Sequence, residues 1–160
     1  MATATPQPVT AAFELMHAGG PVGRVCRVTG SEAVSAVYGF DIELASPEGA
    51  PAAEAVLGGD AALTLADGRD GSAVWRGIVA RWDVRPAPDG GSHIGVSLVP
   101  RAWLLDRRRR TRSFRDLTAA DLVLALTAGL RPAEGAYARL AMRGTGDAAA
   151  VLTQVNETDW

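Results

Sequence analysis

Short polar motifs are the first places to look for chemistry in this 160-residue chain. The segment from Asp67 to Gly71 has the look of a calcium loop, but it lacks the alternating oxygen ligands and the closing glutamate that such a loop needs. Asp-Gly pairs favour tight turns between strands. The segment is therefore interpreted as a hairpin turn, and no metal is expected there.

A glycine-rich stretch between Gly144 and Ala149 partly matches a dinucleotide-binding fingerprint. A functional fingerprint follows a core strand, opens a helix and has an acidic residue about 20 positions further on. The sequence ends before that position, and Asp147 would put a negative charge where a phosphate should lie. No cofactor is expected.

Acid-base and nucleophilic catalysis have few candidates. Glu157 and Asp159 could form a paired acid and base, but no histidine, cysteine or third carboxylate is near them in sequence. His17 and His93 are isolated, and the chain has no Gly-x-Ser-x-Gly motif. A non-enzymatic role is favoured, with a small hydrolase kept as a less favoured alternative.

One charge run stands out between Asp106 and Arg112. It contains five arginines, and the net charge of the chain is only -2. Five arginines in one short segment are too few and too local to indicate a nucleic-acid-binding protein. Two interpretations remain open: an exposed connection outside a sheet, or a surface that contacts an anion or an acidic neighbouring subunit. The candidate subunit-contact residues are Arg107, Arg108, Arg109 and Arg110.

The composition restricts the remaining classes. Cys26 is the only cysteine, so an intramolecular disulfide and a cysteine metal cluster are excluded. No stretch approaches the ~20 apolar residues that span a bilayer. The first thirteen residues, MATATPQPVTAAF, have neither a basic leader nor an apolar run, so no signal peptide is expected. We expect synthesis in the cytoplasm, no stable membrane anchor, and a loose arm over residues 1–10.

The elements that would position these residues centre on a long hairpin between Ala73 and Leu105. Apolar and polar residues alternate along it, which is typical of strands with one solvent-exposed face. The turn from Pro86 to Gly91 contains prolines that lack ladder donors and glycines that permit a reversal. The side chains predicted to face the core are Val74, Ile78, Trp82 and Val84 before the turn and Ile94, Val96 and Leu98 after it.

A helix is predicted after Thr118. Thr118 can cap it, Asp121 lies where it favours the positive end of the helix dipole, and Leu117 can pack against Leu122. Gly129 would end the helix. The predicted buried stripe is Leu122, Val123, Leu126 and Leu130.

Strands at regular spacing, separated by turn residues, predict a β-rich α+β fold, an antiparallel Greek-key-like barrel of about six to eight strands with one clear helix. Its aromatic residues suggest an alternative function, a barrel that binds an apolar small molecule. Aromatic residues at strand spacing more often belong to a packed core. The aromatic residues concerned are Tyr38, Phe40, Trp75, Trp82 and Trp103.

Several motifs occur in an order that resembles the VgrG family, the spike proteins of type VI secretion systems, and related hub proteins of contractile phage tails. A Glu-Ala-Val-Ser segment precedes an aromatic-rich strand, and an Arg-aromatic-Asp segment precedes the helix. The strongest match is the final stretch, in which a strand carrying a glutamine leads into Asn-Glu-Thr-Asp. The segments that carry the resemblance are 30–44, 76–79, 96–105, 111–118 and 151–160.

The resemblance implies a structural protein. In that family each subunit begins with a hub of two related β-barrels, and three subunits present six barrels to a six-fold tube ring. This chain would supply the first barrel, over residues 11–160, and would stop before the second barrel and the three-fold spike. The expected partners are other copies in a homotrimer if the protein is full-length, an Hcp-like tube ring and baseplate proteins. After assembly in the cytoplasm the protein would leave through the contractile machine.

Overall fold

The computed structural model describes residues 9–16, 20–67, 71–128, 130 and 149–159. The chain forms two compact units, Met1–Pro100 and Arg101–Trp160, and each is described by itself. No helix in the described ranges has the length and hydropathy needed to span a membrane. The proposed limits of the hub domain and of the N-terminal arm stay predictions.

The first unit contains seven strands within the described residues: β1 (Thr10–Leu15), β2 (Gly20–Pro21), β3 (Arg24–Ser31), β4 (Gly39–Ser46), β5 (Asp60–Ala66), β6 (Ser72–Pro86) and β7 (Ser92–Val99). They form one antiparallel sheet with the strand order β2-β1-β5-β6-β7-β4-β3. A short helix, α1 (Ala53–Val56), lies in the connection between β4 and β5.

The order of four neighbouring strands identifies the topology. β5, β6 and β7 are consecutive in sequence and adjacent in space, and β4 lies beside β7, which is the Greek-key arrangement. β1 and β3 also lie close to each other, although they are not paired in the sheet, so the sheet curls toward itself. The predicted β-rich Greek-key fold is confirmed.

The inner face of the curled sheet forms the core of the first unit. On β4, Phe40, Ile42 and Leu44 are buried and alternate with more exposed residues. This period of two is the pattern that the sequence predicted. The largest fully buried side chains are Phe13, Ile42, Leu44, Leu63, Val79, Ile94, Val96 and Leu98.

The prediction for β6 is wrong at two positions. A β-bulge between Val79 and Arg81 inserts an extra residue, so the buried residues change parity along the strand. Val74 precedes the bulge, pairs with Thr64 on the outer face and is 49% exposed. Val84 lies beyond Ile78, where β5 no longer pairs with β6, and is 45% exposed.

Within the part of the second unit that the structure describes, there are two short helices and a two-stranded antiparallel sheet. The long hairpin was predicted to reach Leu105, but its second strand ends at Val99 and a helix begins at Trp103. The elements are α2 (Trp103–Asp106), β8 (Arg109–Leu117), α3 (Ala119–Thr127) and β9 (Ala149–Thr158).

The start of α3 is formed as the sequence predicts. The Thr118 hydroxyl accepts a hydrogen bond from the Asp121 amide at 3.2 Å, and the Asp121 carboxylate accepts one from the Thr118 amide at 3.1 Å. This capping box satisfies two amide groups that have no partner within the helix. The hydrogen bonds from Thr118 lower the pKa of Asp121.

The predicted buried stripe of α3 is wrong. None of its nine residues is buried, and Val123 and Leu124 are 36% and 57% exposed. Leu130, the last of the four predicted residues, is buried. A two-stranded sheet offers a narrower packing face than the full sheet that the stripe would need. Gly129 lies outside the described residues.

Candidate contact surface

The arginine run lies where α2 ends and β8 begins. The Arg107 guanidinium lies over the ring of Trp103, with 4.5 Å between its Cζ atom and the ring centroid, a cation-π contact. Arg109 donates a hydrogen bond to the backbone oxygen of Asn156 at 3.4 Å. Arg107, Arg109 and Arg110 are exposed, and Arg108 is half-buried.

The structure therefore fixes the backbone of the run rather than leaving it in a loop. Arg109 and Arg110 are the first residues of β8 and pair with Thr158 and Glu157. The interpretation of these two arginines as part of a connection outside any sheet is wrong. The ladder fixes the Cα positions of these two arginines, and because successive side chains of a strand point to opposite faces, Arg109 and Arg110 lie on opposite sides of β8. We call Arg107 to Arg110 the arginine ridge.

A buried polar network next to the ridge was not recognised from the sequence. Arg112 donates from Nη2 to Asp159 Oδ1 at 2.5 Å and from Nε to Gln154 Oε1 at 2.9 Å. The Asp159 side chain is 2% exposed and that of Arg112 is 24% exposed. The signal available in the sequence was a glutamine and an aspartate at the end of an otherwise apolar strand.

The backbone at the end of β9 closes this network. A bulge places two residues of β9 opposite Thr111, and Asn156 adopts a positive φ of 49° there. The Asn156 amide donates to the Thr111 hydroxyl at 3.1 Å. Gln154 Nε2 donates to the backbone oxygens of Glu157 and Thr158, each at 2.9 Å.

The same geometry decides the role of the two carboxylates considered as an acid-base pair. Asp159 is occupied by Arg112 and by Gln154, whose Nε2 lies 3.1 Å from Asp159 Oδ1. Glu157 is exposed and lies opposite Arg110 in the ladder. Asp159 therefore anchors the end of the β8–β9 sheet, and the Asp159 and Glu157 carboxylates do not face a common substrate position.

Apolar side chains are exposed on the second strand of the same two-stranded sheet. Val151, Leu152 and Val155 of β9 are 58%, 44% and 62% exposed. Val155 lies at the bulge opposite Thr111, next to the arginine ridge, whereas Val151 and Leu152 lie further along the sheet, opposite Arg115 and Phe114. Arginine is enriched at protein interfaces, and interface centres are apolar. The two-stranded sheet therefore has the composition of a protein contact surface.

Four of the five aromatic residues considered for ligand binding belong to or pack against the core of the first unit. The rings of Phe40 and Trp75 lie 4.9 Å apart, and those of Tyr38 and Phe40 lie 5.8 Å apart. Trp82 is 7% exposed and donates to the Pro51 backbone oxygen at 3.2 Å. These four rings are therefore part of the packed core. Trp103 belongs to the second unit.

The remaining candidate residues show no catalytic grouping. His93 is exposed on the outer face of the sheet, where it pairs with Ala45 and Arg85. Within the described ranges, no group of three or more histidine, cysteine, aspartate or glutamate residues could hold a metal ion. Asp67 and Gly71 form a turn with reciprocal hydrogen bonds at 3.0 and 3.1 Å. His17 and residues 144–148 lie outside the described residues.

Tyr38 makes the folding stability of the first unit depend on pH. Burial, followed by the nearby Glu32 carboxylate, raises the pKa of Tyr38 from 10.0 to about 12. Its hydroxyl donates to the Arg76 backbone oxygen, which a phenolate cannot do. Because the folded state has the higher pKa, this contribution to stability is complete below pH ~10 and is lost as the pH rises toward ~12.

Urea unfolding between pH 8 and 12 measures this loss. The chain contains two tyrosines and no lysine, so few other groups titrate between pH ~9.5 and ~12. Tyr38→Phe should have lower stability at pH 8 and a smaller decline above pH ~10. Identical alkaline slopes for Tyr38→Phe and the unsubstituted chain would contradict the assignment.

The chain is a β-rich structural domain. Its first unit is a curled Greek-key sheet with a packed core, and its second unit carries an arginine-rich two-stranded sheet. A comparison with family models identifies the family of this domain. Residues 31–160 match the family described as phage tail baseplate hub (GPD). The chain belongs to this family of hub proteins, which confirms the predicted family relationship.

A comparison with solved structures shows the same fold in a longer protein. The E. coli c3393 protein is described as a component of the type VI secretion system with structural similarity to the T4 bacteriophage tail proteins gp27 and gp5. It is 21% identical to this chain, with a TM-score of 0.65. The match covers 98% of this chain but only 38% of that protein. No curated protein matches the sequence.

Proposed function

We propose that this chain is the hub domain that adapts the tube of a contractile injection machine to its puncturing tip. The observation that carries the proposal is the baseplate-hub family match over residues 31–160, on a chain that folds as a curled Greek-key sheet. The role is non-enzymatic. The protein assembles as a homotrimer, binds a tube ring and baseplate proteins, and leaves the cell through the machine.

The sheet supplies the rigidity that such a role requires. A hub transmits force between a tube and a tip, so its strands must resist sliding and must expose few unpaired edges. Here β6 alone spans 15 residues and pairs with β5 along its first half and with β7 along its second half. Force applied to either neighbour is therefore carried through one continuous strand.

The distribution of charge supports contact between copies. Ten of the sixteen arginines follow Pro100, whereas eleven of the eighteen acidic residues precede it. The first unit is therefore acidic and the second basic. The arginine ridge of one subunit, Arg107 to Arg110, contacts the acidic first unit of its neighbour, and complementary charge fixes the orientation of that contact.

Light scattering on the purified chain tests this proposal. We expect trimers at low salt, and a shift toward monomer when all four ridge arginines are replaced by glutamine. The matched control is Arg115→Gln, which removes an exposed arginine of β8 outside the ridge. Raising the salt concentration should weaken the association of the unsubstituted chain, because exposed charges are screened over about 8 Å at 0.15 M.

Two results would count against the proposal. A clean monomer at high concentration and low salt would contradict the homotrimer. Trimers unaffected by the fourfold substitution would show that the ridge is not the contact surface. Binding of a purified tube ring to the trimer, measured by co-sedimentation, tests the tube contact separately.

A further inference from the structure

The turn that joins β3 to β4 presents a bare apolar tip. Val34 is 97% exposed, and its neighbours Ala33 and Ala36 are also exposed. The Ala36 amide donates to the Ala33 oxygen at 3.3 Å, and Ser35 adopts a positive φ of 61°. A turn with positive φ at its third residue normally uses glycine or asparagine, so the serine here is strained.

The base of this turn is held firmly by β6. Glu32 Oε2 accepts a hydrogen bond from Trp75 Nε1 at 3.0 Å, and the Tyr38 hydroxyl bonds to the backbone of Arg76. The apolar tip is thus held out on a rigid support, and little conformational entropy remains to be lost when it binds. Backbone strain kept at an exposed, well-supported tip is typical of a recognition site.

The same unit carries a groove that fits such a tip. It opens where β1 and β3 approach without pairing, has a volume of about 450 Å³, and exposes both apolar and polar surface. Arg27 on its rim is exposed and, among the described residues, has no ion pair. The residues that define the groove are Val9, Ala11, Val25, Cys26, Arg27, Val28, Gly30, Phe40 and Leu65.

We propose that the Val34 tip of one copy docks in the β1–β3 groove of a second copy of this chain. The Val34 tip matches the apolar side chains of the groove, and Glu32 beside the tip matches Arg27 in the polar part of the groove, since the Glu32 Oε1 atom is not the one that bonds to Trp75. Tip and groove are different surfaces of one chain, so the contact is head-to-tail and can close into a ring. The inference rests on the homo-oligomer proposed above and names a second contact in it.

Cys26 allows the docking of two copies to be tested by disulfide crosslinking. Cys26 lines the groove and is exposed, so a Val34→Cys variant should form an intermolecular disulfide with Cys26 of the docked copy on mild oxidation. The matched control is Leu57→Cys, which places a cysteine at another exposed apolar position of the first unit, 48% exposed. We expect about tenfold more crosslinked product from Val34→Cys, because docking raises the effective concentration of the two thiols.

Two further variants separate the outcomes. Cys26→Ser combined with Val34→Cys should lose the crosslink, whereas persistence would show tip-to-tip pairing and overturn the proposal. Val34→Glu would bury a charge in the groove and should raise the dissociation constant at least ~10-fold. If the ridge variant dissociates the oligomer but Val34→Cys crosslinks no better than Leu57→Cys, this contact is wrong while the proposed hub function stands.

Discussion

Replacing Arg112 by methionine is expected to lower the free energy of unfolding of the second unit by about 3–5 kcal/mol. The substitution leaves the buried Asp159 carboxylate without its ion-pair partner and removes a hydrogen bond to Gln154. Removing one member of a buried pair is costly because the remaining charge stays desolvated without compensation. Urea unfolding monitored by circular dichroism measures the change.

Two companion variants test whether the lost ion pair causes the destabilisation. Arg115→Met removes an exposed arginine from the same strand and should change stability by no more than ~0.5 kcal/mol. The double variant Arg112→Met/Asp159→Leu removes both charges and should recover most of the loss, since apolar replacements of buried pairs are often neutral or stabilising. If Arg112→Met alone lowers the free energy of unfolding by less than ~1 kcal/mol, the Arg112–Gln154–Asp159 network does not anchor the β8–β9 sheet.

Gly77→Ala is the second substitution for which we expect a large effect, a loss of about 3 kcal/mol of stability in the first unit. A Cβ atom at position 77 would lie 2.1 Å from the backbone oxygen of Val99 and 2.8 Å from its carbonyl carbon. These are main-chain atoms of a paired strand, so they cannot move aside as a flexible side chain could. β6 and β7 would have to separate where they begin to pair.

Gly95→Ala is the matched control, because it makes the same chemical change in the interior of β7. The nearest atom to a new Cβ there is the Asp83 Cβ at 3.7 Å, an ordinary van der Waals contact. Without a clash, alanine should be neutral or stabilise the sheet by ~0.5–1 kcal/mol, because it reduces the backbone freedom of the unfolded chain. Equal losses for both variants would contradict a steric origin at Gly77.

Three of the five segments that carried the family resemblance contain a residue with an unusual backbone conformation. Among the described residues, three non-glycine residues have positive φ: Ser35, Asp116 and Asn156, at 61°, 53° and 49°. Such conformations cost of order 1–3 kcal/mol each. Ser35 lies in the turn between β3 and β4, and Asn156 lies at the bulge of β9. The sequence contained no signal for these conformations, which only the backbone shows.

The sequence determined the β-rich class, the main strands and the helix cap. Alternation along β4 and β7 gave the buried faces correctly, and Thr118 with Asp121 gave the start of α3, because these signals depend on residues two to four positions apart. These features are local, and local chemistry is what a single sequence encodes most directly.

Only the tertiary structure decided the rest. The bulge in β6 reversed the burial of Val74, and the β8–β9 register brought Arg112 to Asp159, 47 positions away in sequence. The groove beside Cys26 exists because the sheet curls until β1 and β3 approach each other. Each of these features depends on strand register and sheet curvature. Those are set by the combined packing of many side chains that are distant in sequence, so no local pattern could specify them.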